Sequence, residues 1–305
     1  MGQMNSDLLD LFCQDCQMRN IRDIKTYRSY IKMYLELLES RSKDPRMTNK
    51  DDLKVFLSCL RQRGLKQAST DKAFTCLSSL YTYLVDEEVI PTNPIIPFKR
   101  RYLRKYKEDS VSEARQIISV DQASLLVNST LNSRDKAILV LLFKTGMRLG
   151  ELCRLDLDDI NHKNMTIKLK PTAKRSNRLL FFDNETEDAL QAWLRFREKK
   201  YPDGSGLFLS RLGTRISSVD VGYLFKKHAV RAGLHNPESK RLEDRFTPHC
   251  CRHWFTTHLI RAGMPRDFVK ELRGDVRHEA IDIYNHIDKK ELKESYLAHI
   301  PQLGI

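Results

Sequence analysis

Lys136-Ala-Ile-Leu-Val-Leu-Leu-Phe-Lys144 runs straight into Thr145-Gly-Met-Arg-Leu-Gly-Glu-Leu152, and this junction decides how the chain folds. An almost unbroken apolar stretch that ends at a glycine reads as a helix buried on most sides, with Gly146 as its stop. Arg148 then opens the next helix, and Glu151 lies on the same side at i+3. A guanidinium held by a carboxylate can present its donor fork to a phosphate. The same pair also fits an ordinary ion pair at a helix start.

Around this helix the sequence supplies a mainly helical domain. Ser119 is placed to cap a helix through Leu125 and Leu126. Met165-Thr-Ile-Lys-Leu169 alternates apolar and polar residues as a half-buried strand does, Arg178-Leu-Leu-Phe-Phe182 is its partner, and the segment between them is a hairpin turn. Helical stripes follow at Glu185–Arg197, Ser218–Ala232, Pro248–Arg261, Pro265–Leu272 and His278–Tyr284, with a tail helix over Lys289–Leu297. The expected fold is therefore mainly α, with one small antiparallel sheet.

The first hundred residues read as a separate helical bundle. Tyr27, Ile31, Tyr34, Leu35 and Leu38 form one stripe from Ile24 onward. Thr48 is the expected cap of a second helix, with Asp51 in its first turn and Leu53, Phe56, Leu57 and Leu60 on one face. Ser69 begins a third, with Phe74, Leu77, Leu80, Tyr81 and Leu84 inward. Pro91, Pro94 and Pro97 then break the pattern, and Lys99, Arg100, Arg101, Arg104, Lys105 and Lys107 follow with Tyr102 and Tyr106 between them. This segment is read as an irregular linker, a basic strap for phosphates. The expected boundaries are 1–97 for the bundle, 98–116 for the linker and 117–305 for the second domain.

Charge and cysteine content narrow the function classes. Fifty-three Lys and Arg against 40 Asp and Glu leave +13, which favours a polyanionic partner, nucleic acid first. No apolar run reaches the roughly 18–20 residues of a membrane span, and the N-terminus lacks a secretory pattern, so no membrane or export role is expected. Gly2 alone is too little for a lipid anchor. Seven cysteines, an odd number without framework spacing, point to reduced thiols in a cytoplasm.

A second constellation is Phe246-Thr-Pro-His-Cys-Cys-Arg-His-Trp254. Thr247 at the N-cap and Pro248 at the first helical position start a helix that places His249, Arg252 and His253 on one face at its N-terminus. Unpaired N–H groups and the positive dipole end suit an anion there. A metal site is the weaker reading, because an arginine in the cluster opposes a cation.

Together these segments resemble the tyrosine recombinase (phage integrase) family over nearly the whole chain. Thr145–Leu152 stands for the family's TGxRxxEL signature and His249–His253 for its HxxRH. Gly274-Asp275 through Ile283-Tyr284-Asn285-His286 stands for its nucleophile segment. The Arg273-Gly274-Asp275 wording and the final residues are similar to archaeal integrases, and Xer-type recombinases share the same plan.

The resemblance implies a SAM-like core-binding bundle followed by a catalytic domain. It implies Tyr284 as nucleophile, Arg148 and Arg252 on the phosphate, and His249 assisting proton transfer, with Glu151 and His253 in support. It also implies a lysine from the β-hairpin, here Lys174 with Lys170 as runner-up. Asp275 departs from the family pattern, since an ionised carboxylate accepts hydrogen bonds and cannot donate one to the phosphate; it could instead orient Arg252 or the tyrosine. Tyr296 is the decoy nucleophile.

The same likeness implies double-stranded DNA with a specific site as substrate, no metal or other cofactor, and a homotetramer on two sites. The amphipathic C-terminus (Leu292, Tyr296, Leu297, Ile300 and Leu303) is expected to dock on a neighbouring subunit or on its own domain, with the first favoured. Competing readings are a type IB topoisomerase, a catalytically silent DNA-binding relative, and a metalloenzyme built on His249, His253 and Cys250. Within recombination, a mobile-element integrase is weighed against a resolvase of chromosome or plasmid dimers.

Overall fold

The computed structural model describes residues 2–21, 23–103, 116–171, 179–239, 241–274 and 287–305. The chain divides into two compact units, Met1–Val111 and Ser112–Ile305, each with its own apolar core.

The first unit holds five helices: α1 (Gly2–Met18), α2 (Ile24–Ser40), α3 (Lys50–Gln62), α4 (Gln67–Asp86) and α5 (Ile95–Tyr102). The expected stripes are buried, including Ile31, Tyr34, Leu35 and Leu38 of α2 and Phe74, Leu77, Leu80, Tyr81 and Leu84 of α4. On α1, Cys13 and Cys16 pack into this core beside Phe12, and neither is in a disulfide. The cap of α3 is Asn49 rather than Thr48. Asn49 accepts from the amide of Asp52, whose carboxylate accepts from the Asn49 amide in return. Thr48 is instead drawn inward, its hydroxyl 3.0 Å from the Tyr34 phenol and 2.5 Å from that of Tyr81.

The prolines do not make the start of the basic segment irregular. Pro97 falls in the first turn of α5, where a missing N–H costs nothing, and the Asn93 side chain accepts from the Ile95 amide. Asn93 also donates to the Ser78 carbonyl, pinning the start of α5 to α4. Lys99, Arg100 and Arg101 therefore stand on a helix of the first unit, in its last turn, where the dipole favours cations. Arg104, Lys105 and Lys107 lie outside the described residues.

In the second unit α6 (Val120–Asn128) starts at the expected Ser119 cap. Helix α7 (Ser133–Thr145) is buried from Ala137 to Thr145 and packs against α9 (Asn184–Lys200) and α11 (Pro248–Arg261). The four-residue α8 (Leu149–Leu152) follows it. Strands β1 (Ile160–Asn161), β2 (Thr166–Lys168) and β3 (Leu179–Phe181) form an antiparallel sheet in that order. Ile160 pairs with Ile167 and Ile167 with Leu180, a buried apolar row across the sheet. Helices α10 (Ser218–Arg231), α12 (Arg266–Arg273) and α13 (Lys289–His299) complete the unit. The helix expected over 278–284 lies outside the described residues.

In the structure of the single chain the tail folds back on its own domain. Leu292, Tyr296, Ile300 and Leu303 join the core of the second unit. The Lys144 ammonium, wholly buried, reaches Asp183 (2.6 Å), Glu185 (2.5 Å) and the Pro301 carbonyl (2.7 Å). Glu185 in turn accepts from the amides of Leu303, Gly304 and Ile305.

Two consequences are measurable. Gly146 has φ +58°, and an added Cβ would meet the Phe255 ring, with its Cγ at 2.8 Å. We expect Gly146→Ala to lower the unfolding free energy by roughly 2–4 kcal/mol in urea denaturation, combining left-handed strain with overpacking. Burial would raise the Glu185 carboxyl, but hydrogen bonds from Lys144 and the tail amides outweigh it and hold it below its ordinary value. Its stabilisation is therefore present above the unfolded pKa of about 4.3 and is lost as pH falls through the lower folded value. Thermal unfolding between about pH 3 and 7 should show that loss in the wild type and a flatter acid limb in Glu185→Gln.

Candidate active site

The buried helix α7 stops at Gly146 because its left-handed conformation turns the chain without a Cβ. Arg148 sits two residues on as N-cap of α8. Its backbone amide donates to Glu151 Oε2 (2.7 Å), and its guanidinium lies 3.2 Å from Glu151 Oε1. The Glu151 side chain is 3% exposed and that of Arg148 31%, so a buried carboxylate steers a cation that still reaches the surface.

Thr247 and Pro248 start α11 as expected, although the Thr247 hydroxyl makes no cap hydrogen bond and its amide lies 3.4 Å from Cys250 Sγ. The start leaves His249 and His253 exposed with their rings edge-on at 4.8 Å, while Arg252 is buried. Arg252 donates to the Gly146 carbonyl (2.8 Å) and to the Arg273 carbonyl (2.9 Å). One guanidinium thus bridges the carboxyl ends of α7 and α12. Expected on the phosphate, Arg252 is here also the strut between the two helices that lead to Arg148 and to the segment after Gly274. Asp275 and Tyr284, in that segment, lie outside the described residues.

Lys174 also lies outside them. Its runner-up Lys170 is engaged by the carboxylate of Asp156, which Arg215 shares, and these hydrogen bonds hold the Asp156 carboxyl below its usual range. The decoy Tyr296 is fully buried, its hydroxyl donates to the Lys144 carbonyl, and burial pushes its pKa well above the ordinary phenol value. A phenol in that setting is no nucleophile. Cys250 is buried with its thiol 3.5 Å from the Arg245 carbonyl, and among the described residues no three His, Cys, Asp or Glu side chains come together as a metal set.

In the first unit a cleft of about 670 Å³ is lined by Lys50, Pro94, Pro97, Phe98, Arg100, Arg101 and Tyr102. Tyr102 stacks on Phe98 (4.6 Å), and Arg101 and Lys50 approach its ring at 5.8 and 5.6 Å. Lys50 escaped the sequence reading. Its signal was a lysine at the first position of a helix, where the dipole disfavours a cation.

With this geometry in hand, comparison with known proteins identifies the class. The chain belongs to the phage integrase family, the tyrosine recombinases: residues 110–291 match that family, and residues 8–90 match the phage integrase N-terminal SAM-like domain. Tyrosine recombinase XerC of Leptospira interrogans is 26% identical over 90% of this chain and 85% of its own length. XerC of Pelotomaculum thermopropionicum is 29% identical over 81% and 79%. The Tn1549 transposon integrase, solved with circular intermediate DNA, shares the fold with a TM-score of 0.69 at 20% identity, over 97% of this chain and 99% of that one. A lambda integrase dimer bound to a COC′ core site gives 0.66 at 18% identity, over 93% and 98%. Among the described residues no helix is long and apolar enough to cross a membrane.

The bridge made by Arg252 is testable on stability alone. A lysine keeps the charge but has one nitrogen for two carbonyls, so Arg252→Lys should lose roughly 1.5–3 kcal/mol in urea unfolding. Unchanged stability would show that the bridge does not hold the helix ends together.

Proposed function

We propose that this chain is a site-specific DNA recombinase that cuts and rejoins duplex DNA through a 3′-phosphotyrosyl intermediate. The observation that carries the reading is the pairing of Arg148, steered by buried Glu151, with Arg252, tied to the turn that leads to it. Tyr284 attacks the scissile phosphorus, a tyrosyl O–P bond forms, and the P–O5′ bond breaks. Free tyrosine has a pKa of ~10, so the surrounding cations are needed to stabilise its phenolate and the charge developing on phosphate. Arg148 and Arg252 take the non-bridging oxygens, Lys174 gives its proton to the leaving 5′-oxygen, and His249 assists transfer from the tyrosine. His253 supports His249, and Asp275 orients Arg252 or the tyrosine. The engagement of Lys170 with Asp156 favours Lys174 for the lysine role. The covalent bond stores the phosphodiester, so rejoining needs no ATP and no metal.

The cleft of Lys50, Arg100 and Arg101, with Lys99 on the same helix and with Arg104, Lys105 and Lys107 following in the sequence expected to link the two domains, supplies phosphate contacts that fix position without reading sequence. Four strand cuts on two sites call for a homotetramer in the cytoplasm, where tails docked in cis could exchange between protomers through the same contacts. Integration or excision of a mobile element is the primary setting. Dimer resolution is the second reading, favoured by the XerC relatives that span most of the chain.

The deciding assay uses a nicked duplex carrying the chain's target site, wild type against Tyr284→Phe, with EDTA, on a denaturing gel. We expect a slow-migrating adduct that survives EDTA and is absent from the mutant. Wild-type protein that binds this DNA and forms no adduct would move a silent DNA-binding role ahead.

A further inference from the structure

The mechanism leaves unused an ion cluster at the foot of the β-hairpin, the Asp156 carboxylate with Lys170 and Arg215. Its members come from three stretches of the second unit. Asp156 follows α8, Lys170 lies just past β2, and Arg215 stands just before the Ser217 cap of α10. The Asp156 backbone is fixed on two sides: its amide donates to Asp159 Oδ2 (2.8 Å), and it forms an antiparallel bridge with Gly206. Arg215 is fixed as well, donating to the Leu155 carbonyl (3.0 Å) and bridging to Leu209 through its backbone.

Exposed ion pairs ordinarily contribute little to stability. The side chains of Asp156, Lys170 and Arg215 are 27%, 41% and 38% exposed, so this cluster is not what keeps the domain folded. What it does is hold position. One carboxylate engages two cations, and Asp159 Oδ2 lies 3.9 Å from the same Lys170 ammonium. The bonds from Lys170 and Arg215 keep the Asp156 carboxyl below its ordinary value, so it is ionised at neutral pH.

Lys170 is the telling place to hold. It precedes Pro171, and a proline confines the residue before it to extended backbone while fixing its own φ. The chain therefore leaves β2 through a stiff pair of residues. Across the sheet Lys168 pairs with Leu179, where the chain returns. Glu151, Arg154, Leu155 and Lys170 line one small cleft, so the anchored end lies beside the carboxylate that steers Arg148. Lys174 comes four residues after Lys170, and four extended residues reach at most about 14 Å. The anchor at Lys170 thus bounds where a proton donor at Lys174 can act.

We propose that Asp156 is a positioning residue for the proton donor of DNA cleavage: by engaging Lys170 and Arg215 together, it fixes the β2 end of the hairpin that carries Lys174. Asp156 acts through the hairpin and transfers no proton itself. The inference rests on the recombinase reading, in which the tyrosyl O–P bond forms, the P–O5′ bond breaks and Lys174 gives its proton to the leaving oxygen.

The test compares two target-site duplexes in single turnover at saturating protein: one ordinary, one with sulfur in place of the bridging 5′-oxygen at the cleaved bond. A thiol has a pKa of ~8.5, so the sulfur leaves as thiolate and needs no proton donor. We expect Asp156→Asn to unfold within about 3 °C of wild type and to bind DNA within about threefold. It should cleave the ordinary duplex about tenfold or more slowly, yet the sulfur duplex within about threefold of the wild-type rate. Lys174→Met should show the same rescue from a larger loss, about a hundredfold. Lys170→Met should match Asp156→Asn, and the double variant should be no slower than the worse single one, since both break one contact.

Asp156→Asn that cleaves the ordinary duplex within about twofold of wild type overturns the proposal. Equal slowing on both duplexes overturns it too, because the carboxylate then acts on the fold or on phosphate binding. Losses that multiply in the double variant do the same. If Asp156→Asn does not fold, Lys170→Met, at an exposed side chain, carries the same comparison. Wild type that forms no adduct on either duplex brings down the recombinase reading and this proposal with it. An adduct from wild type without the sulfur rescue in Asp156→Asn brings down this proposal alone.

Discussion

A guanidinium buried between the carboxyl ends of two helices is the constraint on which the rest of the second unit depends. Arg252 meets the Gly146 carbonyl at the end of α7 and the Arg273 carbonyl at the end of α12. Helix ends expose carbonyls with no partner of their own and carry negative partial charge, so a cation there satisfies both hydrogen bonding and the dipoles. Only a planar fork can serve two carbonyls in fixed directions. The consequence reaches function, because one helix leads into the turn with Arg148 and the other into the segment after Gly274. The residue proposed for phosphate chemistry is thus also the one that ties the ends of α7 and α12 together.

Behind this bridge lies a second buried cation, Lys144. Charges without water are unfavourable unless every partner is met, and here the partners come from α9 and from the last residues of the chain. The tail is thereby part of the core of the domain. Tyr296, the other tyrosine near the C-terminus, is consumed as a structural donor in this arrangement. Removal of one candidate nucleophile by burial sharpens the assignment of the other.

The first unit solves a different problem, presenting cations without burying them. Phe98 anchors α5 by stacking between Phe74 and Tyr102 at 5.2 and 4.6 Å, leaving Arg100 and Arg101 on the outer side. Lys50 on α3 completes the cleft, so two helices distant in sequence share one basic surface. Such a surface suits a phosphate backbone, whose affinity comes from charge and whose sequence is read elsewhere.

Local rules made much of this legible in the sequence. Apolar period fixes which faces of α2, α4 and α7 turn inward, the Ser119 cap fixes the start of α6 and Pro248 at the first position that of α11, because all act within a few residues along the chain. Glu151 at i+3 from Arg148 is local in the same sense. Other features needed the tertiary structure. Thr48 reads as a cap until two tyrosines far along the chain claim its hydroxyl, and the prolines around the start of α5 read as breakers until Asn93 ties that helix to α4. By itself the sequence determined helices such as α2, α4, α7 and α11, their buried faces and the residue types available for phosphate chemistry, but not α5. Only the tertiary structure decided that Arg252 bridges two helix ends and that Lys144 belongs to the tail, because burial and long-range pairing determine which partner a charged group meets.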